Sequence, residues 1–423
     1  MINSGERGFG LPKFSLAERE RRWGKVRELT RAAGLDAIIG FPNQSHWDQF
    51  QADIRYLTHI GGHQFEVATV FPLYGDVTAF VRGANEVEWW AIAQDWVKDI
   101  RATRRTWGEP VIDRMKELKL DTARIGVSGL GGLLRAPEGT VVAGMLEKVK
   151  TAFPRAQFEN ATELLQDARS VKGAEEVAFV ERAAEILDRV VEALLAKARV
   201  GVMENEMVAT IWHTIIANGG DYPSMTHWGA GQGVPWASRI APHRKLQAGD
   251  MINTELEAKY GGYIAQTVQA ACLGKIPAEL KRAFDTSVGI FDDLVGFMKP
   301  GVTFREVISR YQKLVRESGH IPKGMLLHGR GIGEDRPQVT GEADVGYNAA
   351  QYTMHLDIPL VEGNVFVLKP GAMPSEAPDS IRCGDTVVIA ANGARRLGKE
   401  SSVFRRCCDS RHPVSKPAQR VAA

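Results

Sequence analysis

The sequence predicts an α+β protein, with an α/β N-terminal part followed by a second part in which strands cluster between helices. Three observations carry this. The chain has 423 residues, too many for one ordinary core, so two domains are expected. Up to about residue 165, short apolar runs alternate with amphipathic stretches, which is the pattern of an α/β unit. Beyond it, "DMINTELEAKYGGYIAQTVQAACLG" (250–274) reads as strand-rich, while its flanks carry helical periodicity.

Taken in order, "AERERRWGKVRELTRAAGL" (17–35) is an amphipathic helix closed by Gly34, and "DAIIGF" (36–41) is a short strand. "VATVFPLYGDVTAFV" (67–81) is a hairpin turning at "YGD". "ANEVEWWAIAQDWVKDI" (84–100) reads as helical, and "ARIGVSG" (123–129) as a strand. A long helix opens near Gly173 and runs to about Arg199, marking a domain boundary at 165/166. A second helix ends at Gly219–Gly220, and two more cover 277–298 and 303–319. Two late strands lie in "NVFVLKPG" (364–371) and "IRCGDTVVIAANG" (381–393). The expected units are thus 1–165, 166–398 and a basic, partly disordered tail, 399–423.

Composition excludes several classes of function. With 53 basic and 51 acidic residues, the net charge of +2 argues against nucleic acid or an anionic membrane as partner. No apolar run is long enough to span a bilayer, and the N-terminus lacks the apolar core of a secretory signal. Cys272, Cys383, Cys407 and Cys408 have no metal-binding spacing, which fits a reducing, cytoplasmic setting. Neither a Gly-x-Ser-x-Gly elbow nor a nucleotide-binding glycine loop is present, so serine-hydrolase and dehydrogenase readings fall away.

Chemistry-bearing residues gather in the second half. In "LLHGRGIGEDRP" (326–337), His328 precedes a glycine-rich loop that also holds Arg330, Asp335 and Arg336. His328 is a candidate acid/base near neutral pH, and the guanidinium groups could clamp a substrate carboxylate; a solvated turn is the alternative. Glu255 and Glu257 alternate along a strand and share one face. If that face is buried they need partners; otherwise the strand lies at the surface. Gln266 and Lys369 are further candidates for the same face. His227, Trp228 and Trp236 could wall a pocket, or simply pack.

These segments, with "RSVKGAEEVAFVERAAEI" (169–186), "MKPGVTFREV" (298–307) and "RYLTHIGG" (55–62), occur in an order that resembles the creatinase/methionine-aminopeptidase superfamily, specifically its prolidase and creatinase branch. The resemblance covers roughly residues 20–398. It implies a "pita-bread" C-terminal domain, a curved antiparallel sheet flanked by helices, behind an α/β N-terminal domain. It also implies a homodimer. Peptidases of the superfamily hold two metal ions through two aspartates, a histidine and two glutamates. The matching positions here are Glu255, Gln266, His328, Lys369 and Gly384, so one ligand is unchanged and one is a longer carboxylate. Lys369 stands where a ligand should be, and an ammonium among carboxylates does the electrostatic work of a cation.

Three readings are open. The first is a hydrolase acting on a C–N bond of a small polar substrate without metal, similar to creatinase and the ectoine hydrolases. Its catalytic residues would be His328, Glu255 and Glu257. Arg330, Asp335, Arg336, Lys369, Gln266, His227 and Trp236 would bind substrate. No cofactor is expected on this reading. The second is a metal-dependent Xaa-Pro-type aminopeptidase, or a lyase related to the dimethylsulfoniopropionate lyase. It would hold one divalent ion such as Mn, Fe or Zn on Glu255, Glu257 and His328. The third is a non-catalytic binding protein.

Overall fold

The computed structural model describes residues 10–43, 50–103, 106–233, 240–322, 324–340, 356–373, 381, 383–399 and 403–407. The N-terminal part is a mixed six-stranded sheet in the order β4-β3-β2-β1-β5-β6. Its strands are β1 (Ala37–Gly40), β2 (Ala68–Pro72), β3 (Thr78–Val81), β4 (Asp99–Ala102), β5 (Arg124–Val127) and β6 (Gln157–Asn160). Six helices accompany it: α1 (Leu16–Ala32), α2 (Ala52–Thr58), α3 (Ala84–Ala93), α4 (Gly108–Glu117), α5 (Ala143–Ala152) and α6 (Thr162–Ser170). The β2–β3 hairpin forms as expected from its turn. The segment 84–100 does not stay helical: α3 ends at Ala93, and Asp99–Ala102 leaves to pair with β3 in parallel. Strand pairing in the tertiary fold overrides a run whose periodicity alone suits a helix.

The second part opens with α7 (Ala174–Lys197) and α8 (Glu204–Ala217), and two further helices come later, α9 (Ala278–Phe297) and α10 (Phe304–Glu317). Its main sheet has nine strands among the described residues. Seven run in the order β12-β11-β13-β15-β9-β8-β7, with β16 added on β15 and β17 on β9. These are β7 (Thr226–Gly231), β8 (Met251–Tyr260), β9 (Tyr263–Cys272), β11 (Met325–Gly329), β12 (Gln338–Thr340), β13 (Val365–Leu368), β15 (Gly384–Ala390), β16 (Gly393–Arg396) and β17 (Arg405–Arg406). A small separate ribbon joins β10 (Ile321–Pro322) to β14 (Ala372–Met373). This is the pita-bread arrangement: a curled antiparallel sheet with helices against it, behind an α/β domain. Of the basic tail, residues 403–407 dock along β9, with Phe404 and Cys407 buried, and 408–423 lie outside the described residues.

The β8–β9 hairpin positions the site. Its two-residue turn, Gly261–Gly262, has φ of +55° and +89°, which glycine adopts without strain. A Cβ at Gly262 would also meet the Arg55 guanidinium at 2.6 Å. Strand alternation then sorts the faces. Leu256 and Ala258 pack into a core with Val180, Ala183, Leu187 and Val191 of α7. Each such valine or leucine side chain, fully buried, contributes roughly 1.5–3 kcal/mol. Glu255 and Glu257, one residue out of phase, must face the opposite side.

Candidate active site

On that opposite side the charges close on one another. Lys369, at the end of β13, donates to Glu255 Oε1 at 2.7 Å. Gln266 Nε2 donates to the same oxygen, and His227 Nδ1, on the neighbouring strand, lies 3.7 Å from Oε2. Register explains the grouping: β8 pairs His227 with Glu255 on one side and Glu257 with Gln266 on the other. Arg330 reaches from the glycine loop to Glu257 and forms a buried ion pair with it. Lys369 is 4% exposed and Glu255 21% exposed, so Glu255 is the partner of the pair that keeps access to solvent. Burial alone would push its pKa up. The Lys369 ammonium and His227 more than offset this and hold it well below the usual carboxylate range.

The glycine at 384 makes the Lys369 placement possible. A Cβ there would lie 2.7 Å from Lys369 Cγ and 2.9 Å from Val268 Cγ2. The lysine stem occupies the room a side chain at 384 would need.

His328 is buried, and its Nδ1 lies 3.1 Å from the carbonyl oxygen of Gly329. A carbonyl can only accept, so Nδ1 carries the hydrogen and Nε2 keeps its lone pair. Burial first, then the Lys369 ammonium, lower the imidazole pKa to about 3. The ring is therefore neutral at neutral pH, and the expectation of an imidazole titrating there is corrected by its desolvation.

The loop after His328 is tied down by residues that sequence reasoning did not single out. Glu334 Oε1 lies 3.9 Å from His328 Nδ1, and Arg135 grips the carboxylate through Nη2 to Oε1 at 2.7 Å and Nε to Oε2 at 3.0 Å. Asp335, buried, accepts from Arg169 at 2.9 Å and Lys172 at 3.2 Å; Arg169 also pairs with Asp53. Arg336 turns to Asp167 on α6 at 2.5 Å. Asp335 and Arg336, expected to bind substrate, are thus engaged by α6 and the segment after it. Trp228 is core, its indole donating to Glu204 at 2.7 Å, and Trp236 lies outside the described residues. Glu334 stood in the quoted loop and could have been found there. Arg135 lies 199 residues away with no motif around it.

The model for metallopeptidase family M24 matches residues 178–391, just over half of the chain. The chain belongs to metallopeptidase family M24. Among similar proteins, this M24 chain is 25% identical over 291 residues to an Xaa-Pro dipeptidase of Pyrococcus furiosus, covering 68% of the chain and 77% of the relative. It is 24% identical to the Pyrococcus horikoshii enzyme of the same name, covering 62% and 72%. Among solved structures, the Xaa-Pro dipeptidase from Bacillus anthracis superposes with a TM-score of 0.72 at 18% identity, covering 92% of this chain and 99% of that one. The X-Pro aminopeptidase from Thermotoga maritima gives 0.71 at 19%, covering 90% and 99%. These place the protein on the prolidase branch, among the hydrolases of the superfamily. They overturn the first reading of the sequence, a metal-independent hydrolase of the creatinase or ectoine-hydrolase kind, because the family is one of metallopeptidases and the relatives are Xaa-Pro dipeptidases.

The donors in this M24 site do not fit the pair of metal ions that the resemblance to the superfamily's peptidases implies. Glu255 is bound by Lys369 and Gln266, Glu257 by Arg330, and position 384 has no side chain. Among the described residues, no three His, Cys, Asp or Glu side chains are grouped so as to hold a metal ion.

Proposed function

We propose that the protein is a peptidase of the Xaa-Pro dipeptidase type, acting on small dipeptides at the site formed by Glu255, His328 and Lys369. The single observation that carries this reading is the carboxylate–ammonium pair Glu255–Lys369, at 2.7 Å with its carboxylate partly exposed, beside a neutral imidazole. A dipeptide is a zwitterion. Its amino group can exchange onto Glu255 and its carboxylate onto Lys369, with Arg330 adding positive charge behind them. The His328 Nε2 lone pair supplies an acceptor that orients a water. The names of the relatives support the substrate class. Because the donor set does not fit the family's ions, each role is assigned to the chain's own side chains.

The test is release of proline from Ala-Pro and Gly-Pro by purified protein, with and without added Mn²⁺, Co²⁺ or Zn²⁺. Release in either condition supports the reading. No release in both, from protein shown to be folded, overturns it and leaves a binding protein. As further parts of the proposal, the protein is a cytoplasmic homodimer with units 1–165, 166–398 and 399–423. A monomer by light scattering at micromolar concentration would remove the dimer. Proteolytic cuts away from these boundaries would remove the division.

A further inference from the structure

Two hydroxyl groups lie in the apolar core that α9 and α10 help to form. Ser287 on α9 and Tyr311 on α10 are both wholly buried. Ser287 shares its helix face with Phe284 and Phe291, and Tyr311 shares its own with Val307 and Val315. These four apolar side chains and Tyr311 belong to one core cluster. A hydroxyl in such surroundings costs free energy unless it is hydrogen-bonded. Both find their bonds on the same short stretch of backbone. Tyr311 Oη donates to the carbonyl oxygen of Gly371 at 2.5 Å. Ser287 Oγ accepts from the Ala372 N–H at 3.0 Å, while its own hydrogen goes to Ala283 O, one turn back in the helix.

That stretch is where the chain leaves the main sheet. β13 ends at Leu368, and Ala372–Met373 pairs with Ile321–Pro322 in the small ribbon. Lys369, Pro370 and Gly371 lie between. On the N-terminal side, the Lys369 N–H donates to Leu326 O at 2.7 Å. Pro370 fixes its own φ at about −65° and has no N–H to give. Gly371, by contrast, is the residue type with the widest backbone freedom. The two hydroxyls remove that freedom by holding Gly371 and Ala372. The backbone at the lysine is therefore fixed on both sides. Its stem has little slack as well: a Cβ at Gly384 would lie 2.7 Å from Lys369 Cγ, and Nζ ends 2.7 Å from Glu255 Oε1.

We propose that Ser287 and Tyr311 are positioning residues for Lys369. From α9 and α10 they hold the backbone on the C-terminal side of the lysine, and so place its ammonium on Glu255. They act through Lys369 alone. The placement itself stands independently of the peptidase reading; only its effect on turnover rests on that reading.

The test reads Lys369 itself. The full chain is reductively methylated in its folded state with formaldehyde and dimethylamine–borane, and labelling of each lysine is followed in time by peptide mass spectrometry. Lys172 is the internal control, because its side chain is 2% exposed against 4% for Lys369 and it is held by Asp335. We expect Tyr311→Phe and Ser287→Ala each to speed labelling of Lys369 roughly tenfold, about the worth of one lost hydrogen bond, with Lys172 unchanged. If Tyr311→Phe does not fold, Ser287→Ala gives the same reading. Equal acceleration at both lysines would mean general loosening, and no acceleration at Lys369 would mean that it keeps its place without the hydroxyls; either result overturns the proposal. With Ala-Pro as substrate, both variants should raise KM roughly tenfold and change kcat less, because Lys369 is the group assigned to the substrate carboxylate. An unchanged KM in an active enzyme overturns the positioning role. A wild type that releases no proline sinks the peptidase reading, and the labelling rates then decide this proposal by themselves.

Discussion

Lys369 is almost wholly enclosed, and its ammonium meets Glu255 at 2.7 Å. Removing one partner of such a pair leaves a desolvated charge. We expect Lys369→Met to lower stability at pH 7 by roughly 3 kcal/mol. The sign with pH is fixed by Glu255. In the wild type its carboxyl is held below the ordinary 4.5, so the stability it confers is full above that pH and is lost as pH falls further. In the variant, burial is unopposed by the ammonium and the carboxyl pKa rises. The deficit should therefore be largest at pH 7 and shrink toward pH 5. Denaturant titrations of both proteins at the two pH values measure this; an equal deficit at both would show that the ammonium does not neutralise Glu255.

His328 and His59 both have pKa values near 3 in the fold, against 6.5 for the free side chain. Between these values the unfolded chain binds protons that the folded chain does not. Stability is complete above pH 6.5 and falls as pH drops through the window below it, by roughly 1 kcal/mol per pH unit for each histidine. From 6.5 to 4.5 the shifted carboxylates contribute little. We expect His59→Phe to flatten this part of the curve by about half. A denaturation midpoint independent of pH over that interval, in the wild type, would count against both assignments.

At the scale of elements, the glycine loop is held by α6 and by Lys172 just beyond its end. Arg169 and Lys172 converge on Asp335, with all three side chains at least 98% buried. Asp335→Asn keeps the shape but leaves Lys172 without its counter-charge and Arg169 with Asp53 alone. We expect a loss of about 3–5 kcal/mol, with the near-ultraviolet circular dichroism of the folded protein altered. Much of the element layout was legible beforehand. Periodicity located α1 and α7, and the strand-rich reading of 250–274 covered β8 and β9 without marking the turn between them. What periodicity missed was β4, because Asp99–Ala102 is ordered by pairing with Thr78–Val81, a contact no local window contains. The same limit applies to the site. Glu255, Gln266, His328 and Lys369 were readable from motif order, and strand alternation put both glutamates on one face. That Lys369 meets Glu255 while Arg330 meets Glu257 depends on the register of four strands and a loop. Arg135, Arg169 and Lys172 carry no local signature at all.

Across the whole molecule, Arg135 joins the N-terminal α/β domain to the His328 loop through Glu334. The arginine side chain is about one-third exposed but Glu334 is only 4% exposed, so removing the arginine strands a buried carboxylate and should cost about 3 kcal/mol. We expect Arg135→Ala to speed amide hydrogen exchange at residues 329–337 and along α6, with the β8–β9 hairpin unchanged. Uniform exchange across the loop in both proteins would mean that Asp335 alone secures it.

Gly384 and Lys369 compete for one volume, and this constrains the routes by which the site can change. By its resemblance, each position is one where a peptidase of the superfamily carries a glutamate. From the present pair, adding a side chain at 384 drives its Cβ into the lysine stem at 2.7 Å. Replacing Lys369 alone empties the space over the glycine and strands Glu255. Each single exchange is therefore worse than either end state, and a site-by-site mutational scan will score both positions as intolerant. Only a library that varies 369 and 384 together can cross between the two arrangements, so the two residues form one inherited unit rather than two independent choices.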